Sequence, residues 1–213
     1  AARNEPIPVF AEMGSSNPLF LLPEALRERG AEIADGFVEA LTLGVGQFCT
    51  NPGLLFAVGG LELEAFAARV SALLGERPAG VMLHRGIRDA YAAEVGRRSR
   101  IAGVHRIGGE GEAGPGACLA APVLLRTDCA TFLKKRDLAE EIFGPAAVLV
   151  ECADREELVT SARRLRGQLT ATLHGTAGDF AAFSELPGIL EGKAGRLICN
   201  GFPTGVEVSP AMV

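Results

Sequence analysis

The chain has 213 residues, 48% of them hydrophobic and 22% charged, with a formal net charge of −5. That length can bury one sizeable core, and the balance is globular rather than disordered. An acidic chain with no Trp, one Tyr and no basic stripe lacks the footprint of a nucleic-acid binder, and no apolar run approaches the roughly 20 residues that span a bilayer.

Along the chain, Pro8-Val9-Phe10-Ala11 reads as a short buried strand leading into Glu12. Pro23 suits the first position of a helix, and Ile33, Phe37 and Leu41 repeat every four residues on one helical face running toward Cys49. Leu54-Leu55-Phe56-Ala57-Val58 predicts a strand closed by Gly59-Gly60, followed by a helix marked by Leu63, Phe66, Val70 and Leu73. Val81-Met82-Leu83 suggests a short strand, and Ile87, Tyr91 and Val95 another helix. Arg97, Arg98 and Arg100 near its end suit the helix dipole.

From 101 to 127 the pattern is strand-like around a Gly-rich loop. Ala146–Val150 reads as a buried strand, and Asp154 as the N-cap of the next helix. Leu169–His174, a short helix from about Gly178 and the run Arg196–Asn200 complete the series. Short apolar strands alternating with helices predict an α/β fold, a layered, open, mostly parallel twisted sheet with helices on both faces. Nothing in the pattern splits residues 1–213 into two units.

The five cysteines, 49, 118, 129, 152 and 199, include no C-x-x-C pair. That spacing disfavours zinc and a dithiol couple, so no metal is expected, and the odd count suggests reduced thiols in a cytoplasmic protein. The start, Ala1-Ala2-Arg3-Asn4-Glu5-Pro6, is not a signal peptide. Because the chain lacks an initial Met and stops abruptly at Ala211-Met212-Val213, it reads as a piece of a longer protein.

Cys49 lies in Gly46-Gln47-Phe48-Cys49-Thr50-Asn51-Pro52-Gly53, where small and amide-bearing neighbours allow a tight turn from which the sulfur can face a substrate. It can be a nucleophile, if a base, dipole or cation favours the thiolate, or a buried residue at the end of an amphipathic helix. Glu12, before Met13-Gly14-Ser15-Ser16, can act as a general base or be a solvated strand end. Glu141 and Phe143 have equally plain readings as helix-end carboxylate and core ring. Gly109-x-Gly111-x-x-Gly114 matches a dinucleotide-binding expression, but Glu110, Glu112 and the following Pro115-Gly116 argue for a hairpin or loop. His84, His105 and His174 are scattered and read as surface or structural residues.

Taken together, Phe10-Ala11-Glu12-Met13-Gly14, Gly46-Gln47-Phe48-Cys49 and Glu141-Ile142-Phe143-Gly144-Pro145 resemble, in order, three signature segments of the aldehyde dehydrogenase superfamily. The wording around Cys49, with Asn200-Gly201-Phe202-Pro203-Thr204, is most similar to the NADP-preferring branch. That branch includes α-ketoglutarate semialdehyde (2,5-dioxopentanoate) and bacterial fatty aldehyde dehydrogenases.

The resemblance implies that Cys49 attacks a small-molecule aldehyde, forming a thiohemiacetal and then a thioester, while NADP or NAD accepts the hydride. It implies Glu12 as base, the backbone N–H of Cys49 as half of an oxyanion hole, and Asn200 near the substrate. Glu141 would hold the nicotinamide ribose and Phe143 the ring. It further implies that residues 1–213 are the thiol-nucleophile catalytic domain of a homo-oligomeric enzyme. The coenzyme-binding domain would lie upstream, the oligomerisation tail would be absent or truncated, and the isolated piece would have little activity. Glu12-Met13-Gly14-Ser15-Ser16 departs from the family's E-L-G-G-K in lacking the second glycine and the lysine. Two other readings stand beside this one: a coenzyme-independent Cys hydrolase or acyl-thioester enzyme using one of the histidines, and a non-catalytic assembly domain.

Overall fold

A computed structural model describes residues 14–109 and 118–204. The elements run β1 (Leu19–Leu21), α1 (Pro23–Thr42), β2 (Leu54–Val58), α2 (Leu61–Glu76), β3 (Gly80–Val81), α3 (Arg85–Ser99), β4 (Val104–Gly108) and β5 (Leu119–Ala120). They continue with β6 (Val123–Asp128), α4 (Cys129–Lys134), β7 (Ala146–Cys152), α5 (Arg155–Arg164), β8 (Gln168–His174), α6 (Ala177–Ala182), α7 (Leu186–Glu191) and β9 (Ala194–Cys199).

Seven strands form one sheet in the order β4-β6-β7-β2-β1-β8-β9. Every pairing in it is parallel except β4 with β6, which is antiparallel. β3 and β5 form a separate antiparallel pair. The sheet is apolar on both faces because its central strands are continuous apolar runs, as a sheet covered on both sides requires. Alternate residues go to opposite layers. Leu19, Leu21, Leu55 and Ala57 pack with the apolar faces of α1 and α2, including Phe37, Leu41, Phe66 and Val70. Phe20, Leu54, Phe56 and Val148 pack on the other side with Tyr91 and Val95 of α3, Phe132 of α4, Leu158 of α5 and Leu186 of α7. Phe56 stacks on Phe20 at 4.9 Å and meets Phe132 edge-on at 5.2 Å.

This is the layered fold that the alternating pattern predicts. β1 is new relative to the sequence reading: Leu19-Phe20-Leu21 sits between Pro18 and Pro23, and only its place at the centre of the sheet makes it a strand. α4 and α7 were likewise not anticipated. The expected strand at Val81-Met82-Leu83 shrinks to Gly80–Val81, and Leu83 is exposed. The expected strand at 8–11 lies outside the described residues.

The direction of the strands places the loops. All six parallel strands start at one edge of the sheet, where the segments before β1, β2, β7 and β8 converge. α1, twenty residues long, runs back about 30 Å from the end of β1 to that same edge, where it delivers the Cys49 loop. At the opposite edge Asp179, almost fully buried, accepts from the N–H groups of Glu24 and Ala25 at the start of α1 and of Thr176 before α6. One carboxylate thereby caps two helices, satisfying donors that a helix start leaves open.

Candidate active site

Between α1 and β2 the chain passes through two residues with left-handed backbone, Gly44 and Val45, and then Gly46 with φ +63°. The Asn51 N–H donates to the Phe48 carbonyl at 3.0 Å and closes a turn over Cys49. A planar trans peptide points its C=O and N–H in opposite directions. With the Phe48 carbonyl turned toward the Asn51 N–H, the Cys49 N–H points away from that turn. The Cys49 side chain is exposed, so the plain reading of a buried thiol does not hold.

The Glu141 segment is fitted to this loop. Gly46 lies so close to Gly144 and Pro145 that a side chain there would overlap their backbone, and Asn51 Nδ2 donates to the Gly144 carbonyl at 3.0 Å. Tyr91 braces the same stretch: its ring packs on Gly144, and its hydroxyl donates to the Ala121 carbonyl at 2.6 Å. Burial pushes the Tyr91 phenol upward from its usual range. Beneath it, the buried Arg98 donates to the Glu141 carbonyl at 3.3 Å and pairs with Glu94 at 3.5 Å. Sequence reasoning took Arg98 for a helix-end cation, since nothing in a run of arginines marks the one that turns inward.

Glu141 is half-buried and Phe143 exposed. A Cβ at Gly14 would stand 3.0 Å from Glu141 Oε2, so the carboxylate lies across the bare backbone of Gly14, two residues beyond Glu12. Glu12 itself lies outside the described residues. Gly14, Ser16, Arg136, Glu141, Arg166 and Gln168 are among the residues lining a cleft of about 630 Å³. A carboxylate at such a cleft suits the diol of a ribose, and the neighbouring Phe143 ring suits a flat heterocycle, so these residues fit a nicotinamide ribose.

Asn200 follows β9, at the opposite edge of the sheet from Cys49. Its Oδ1 accepts from Arg29 at 2.8 Å and the Gly175 N–H at 2.9 Å, and its Nδ2 donates to the Gly175 carbonyl. The structure does not bring it to the Cys49 loop. Of the Gly-rich expression only Gly109 is described: it is pressed against Pro122, and β5, not a helix, is the next described element. The histidines do not form a cluster. His84 Nδ1 caps α3 by accepting from Ile87, His105 is exposed on edge strand β4, and His174 is buried at the Asn200 edge. No group of three or more His, Cys, Asp and Glu among the described residues could hold a metal ion, and none of their helices is long and apolar enough to cross a membrane.

No family model matches the chain. Its sequence is 49% identical over 212 residues to an alpha-ketoglutaric semialdehyde dehydrogenase of Azospirillum brasilense, covering 100% of this chain and 40% of the relative. It is 39% identical to an alpha-ketoglutaric semialdehyde dehydrogenase of Acinetobacter baylyi, over 99% of the chain and 40% of that protein. The chain therefore spans about two fifths of the length of these curated relatives. Among solved structures, the delta-pyrroline-5-carboxylate dehydrogenase of Mycobacterium tuberculosis bound with NAD superposes with a TM-score of 0.75 at 18% identity, over 93% of this chain and 36% of that one. Gamma-glutamyl-gamma-aminobutyraldehyde dehydrogenase of Burkholderia cenocepacia gives 0.74 at 18% identity, over 92% and 40%. At such identities the superpositions bear on the fold alone, and the fold agrees with what the sequence relatives carry over the whole chain: it belongs to the aldehyde dehydrogenase superfamily.

Proposed function

We propose that the protein carrying this chain oxidises an aldehyde to a carboxylate, with Cys49 as nucleophile and NAD or NADP as coenzyme. The observation that carries the proposal is the junction of two loops. An exposed thiol sits on a turn whose flanking residues, through Asn51 and the close approach of Gly46, are joined to the segment bearing Glu141 and Phe143.

Cys49 adds as thiolate to the aldehyde carbon, and the Cys49 N–H, which points away from the Asn51 turn, donates to the oxygen that becomes negative in that thiohemiacetal. When bound, the nicotinamide coenzyme supplies the hydride acceptor. Glu141 holds its ribose hydroxyls and Phe143 supports its ring. The thioester then left on Cys49 is cleaved by water that Glu12 deprotonates, which frees the carboxylate product and restores the thiol. Asn200 is given no contact with substrate, its polar atoms being engaged at the other edge.

A semialdehyde such as 2,5-dioxopentanoate is the substrate we favour, on the sequence similarity to the two semialdehyde dehydrogenases. The branch resemblance favours NADP. A chain of this span is the catalytic domain of a longer, homo-oligomeric enzyme, and alone it binds coenzyme weakly. The test is aldehyde-dependent reduction of NADP and NAD by the full-length enzyme. Cys49→Ala abolishes turnover, whereas Glu12→Gln gives one equivalent of reduced coenzyme and then stalls at the thioester. Wild-type turnover in Cys49→Ala overturns the proposal.

A further inference from the structure

We infer that Asn17 is a positioning residue for the nucleophile: its buried side-chain amide holds the Cys49 carbonyl and thereby sets the orientation of the thiol and of the N–H that meets the oxyanion. The inference rests on the assignment of Cys49 as nucleophile.

Asn17 has no exposed surface and a backbone φ of +44°. That region is strained for most residues but tolerated by Asn. A buried residue in that conformation, between Ser16 and Pro18, spends stability on its own geometry, which asks for an explanation in its side chain. Nδ2 donates to the Cys49 carbonyl at 2.9 Å and to the Asn51 carbonyl at 3.0 Å. Oδ1 accepts from the Ser15 hydroxyl at 2.9 Å, the Thr170 hydroxyl at 3.0 Å and the Thr170 N–H at 3.3 Å. One side of the amide faces backbone carbonyls and the other faces a backbone N–H, so the amide has a single satisfactory orientation.

The amide is itself braced. Gln168 Oε1 accepts from the N–H groups of Ser16 at 2.7 Å and Asn17 at 3.1 Å. Ser16 donates to the Ala139 carbonyl at 2.7 Å. The strand starts of β1 and β8 are thus locked together, and Asn17 reaches from that locked point into the Cys49 turn.

Two restraints then act on Cys49 from either side. The Asn51 N–H fixes the peptide before it, through the Phe48 carbonyl, and Asn17 fixes the peptide after it, through its own carbonyl. With both flanking peptides held, the backbone angles of Cys49 are determined, and so are the directions of its N–H and its Cα–Cβ bond. An exposed turn would otherwise sample many orientations, and nucleophilic attack depends on a near-attack geometry. The same strut links the nucleophile to the stretch that leads, through Ser15 and Gly14, toward Glu12.

The test uses the full-length enzyme and four proteins: wild type, Asn17→Gly, Asp179→Ala and Cys49→Ala. Glycine keeps the positive φ while deleting the amide, so the backbone can persist. Asp179 caps helices at the far edge of the sheet and serves as a destabilised control. Asn17→Gly is expected to lower kcat by about 10- to 100-fold while the KM for aldehyde and for coenzyme stays within about threefold. Asp179→Ala, with an equal or larger drop in Tm, is expected to keep kcat within about twofold.

Wild-type kcat in Asn17→Gly, with Cys49→Ala inactive, overturns the positioning role alone. A kcat loss in Asp179→Ala that matches Asn17→Gly also overturns it, because the effect then tracks stability. Activity surviving in Cys49→Ala overturns the assignment beneath it.

Discussion

Gly46 rests directly on the peptide joining Gly144 to Pro145, leaving no space for even a methyl group between the Cys49 loop and the segment that bears Glu141 and Phe143. Its φ of +63° adds a second constraint. Gly46→Ala must therefore strain the backbone and push the two segments apart at once. The expected cost is about 1–3 kcal/mol for the conformation, with a further loss from the displaced contact. Urea melts should show the destabilisation, and turnover should fall more than stability alone explains. A Gly46→Ala enzyme with wild-type stability and activity would show that the approach is not required.

Thiol exposure offers an independent check on the Cys49 turn. Cys49 and Cys199 are exposed, Cys118 is half-buried, and Cys129 and Cys152 are buried. Burial raises the Cys129 and Cys152 thiols above their ordinary range, which removes the reactive thiolate. Iodoacetamide labelling read by peptide mass spectrometry should modify Cys49 and Cys199 first. Cys129 and Cys152 should react only on the timescale of unfolding. Labelling of Cys49 no faster than Cys129 would contradict an exposed thiol on this turn.

Arg98 gives a prediction that separates coenzyme from aldehyde. Its buried guanidinium donates to the Glu141 carbonyl, and burial lowers its affinity for protons despite the nearby Glu94 carboxylate. Arg98→Met keeps the apolar stem and removes the donor. Losing a hydrogen bond to a charged group costs about 1.5–3 kcal/mol, offset in part because a desolvated charge goes with it. The KM for NADP or NAD should rise several-fold while the KM for aldehyde stays near wild type. Equal changes in both would place Arg98 in general packing instead.

The parts of this picture that the sequence carries are those written in periodicity. Leu54–Val58, Ala146–Val150 and Leu169–His174 are runs of strand length; the first two pair at the centre of the sheet, and the third lies on the far side of β1. Cys49, Glu141 and Phe143 are legible as motif residues, and the fold brings their segments side by side, because those that precede β2 and β7 end at the same edge. Asn17 and Gln168 were not legible. Each is a polar residue whose meaning comes from distant partners, Cys49 and Thr170 for Asn17 and the N–H groups of Ser16 and Asn17 for Gln168, and no local pattern encodes such a pairing. Leu19–Leu21 was missed for a related reason, since three residues between prolines become a strand only through β2 and β8 on either side. Asn200 is the reverse case, a residue whose motif pointed to substrate while its side chain is engaged with Gly175 and Arg29.

His174 makes the stability of the fold depend on pH. Its ring is 1% exposed, tilted against Phe202 at 4.9 Å, with no partner for either nitrogen among the described residues. Burial, reinforced by the nearby positive charge of Arg29 and only weakly opposed by the Gly201 backbone, pushes its pKa down to about 4 from an ordinary 6.5. Above pH 6.5 the imidazole is neutral in both folded and unfolded chains and costs nothing further. As pH falls from 6.5 toward 4 the unfolded chain takes up a proton that the folded one refuses, so stability falls through that window and this contribution levels off below it. The drop amounts to about 3 kcal/mol. Urea melts at a series of pH values between 4 and 8, on wild type and His174→Phe, isolate this effect from the carboxylates that titrate nearby. The wild-type curve should be the steeper of the two between pH 6.5 and 4. Parallel curves would mean that the buried ring takes up its proton at an ordinary pH in the folded state.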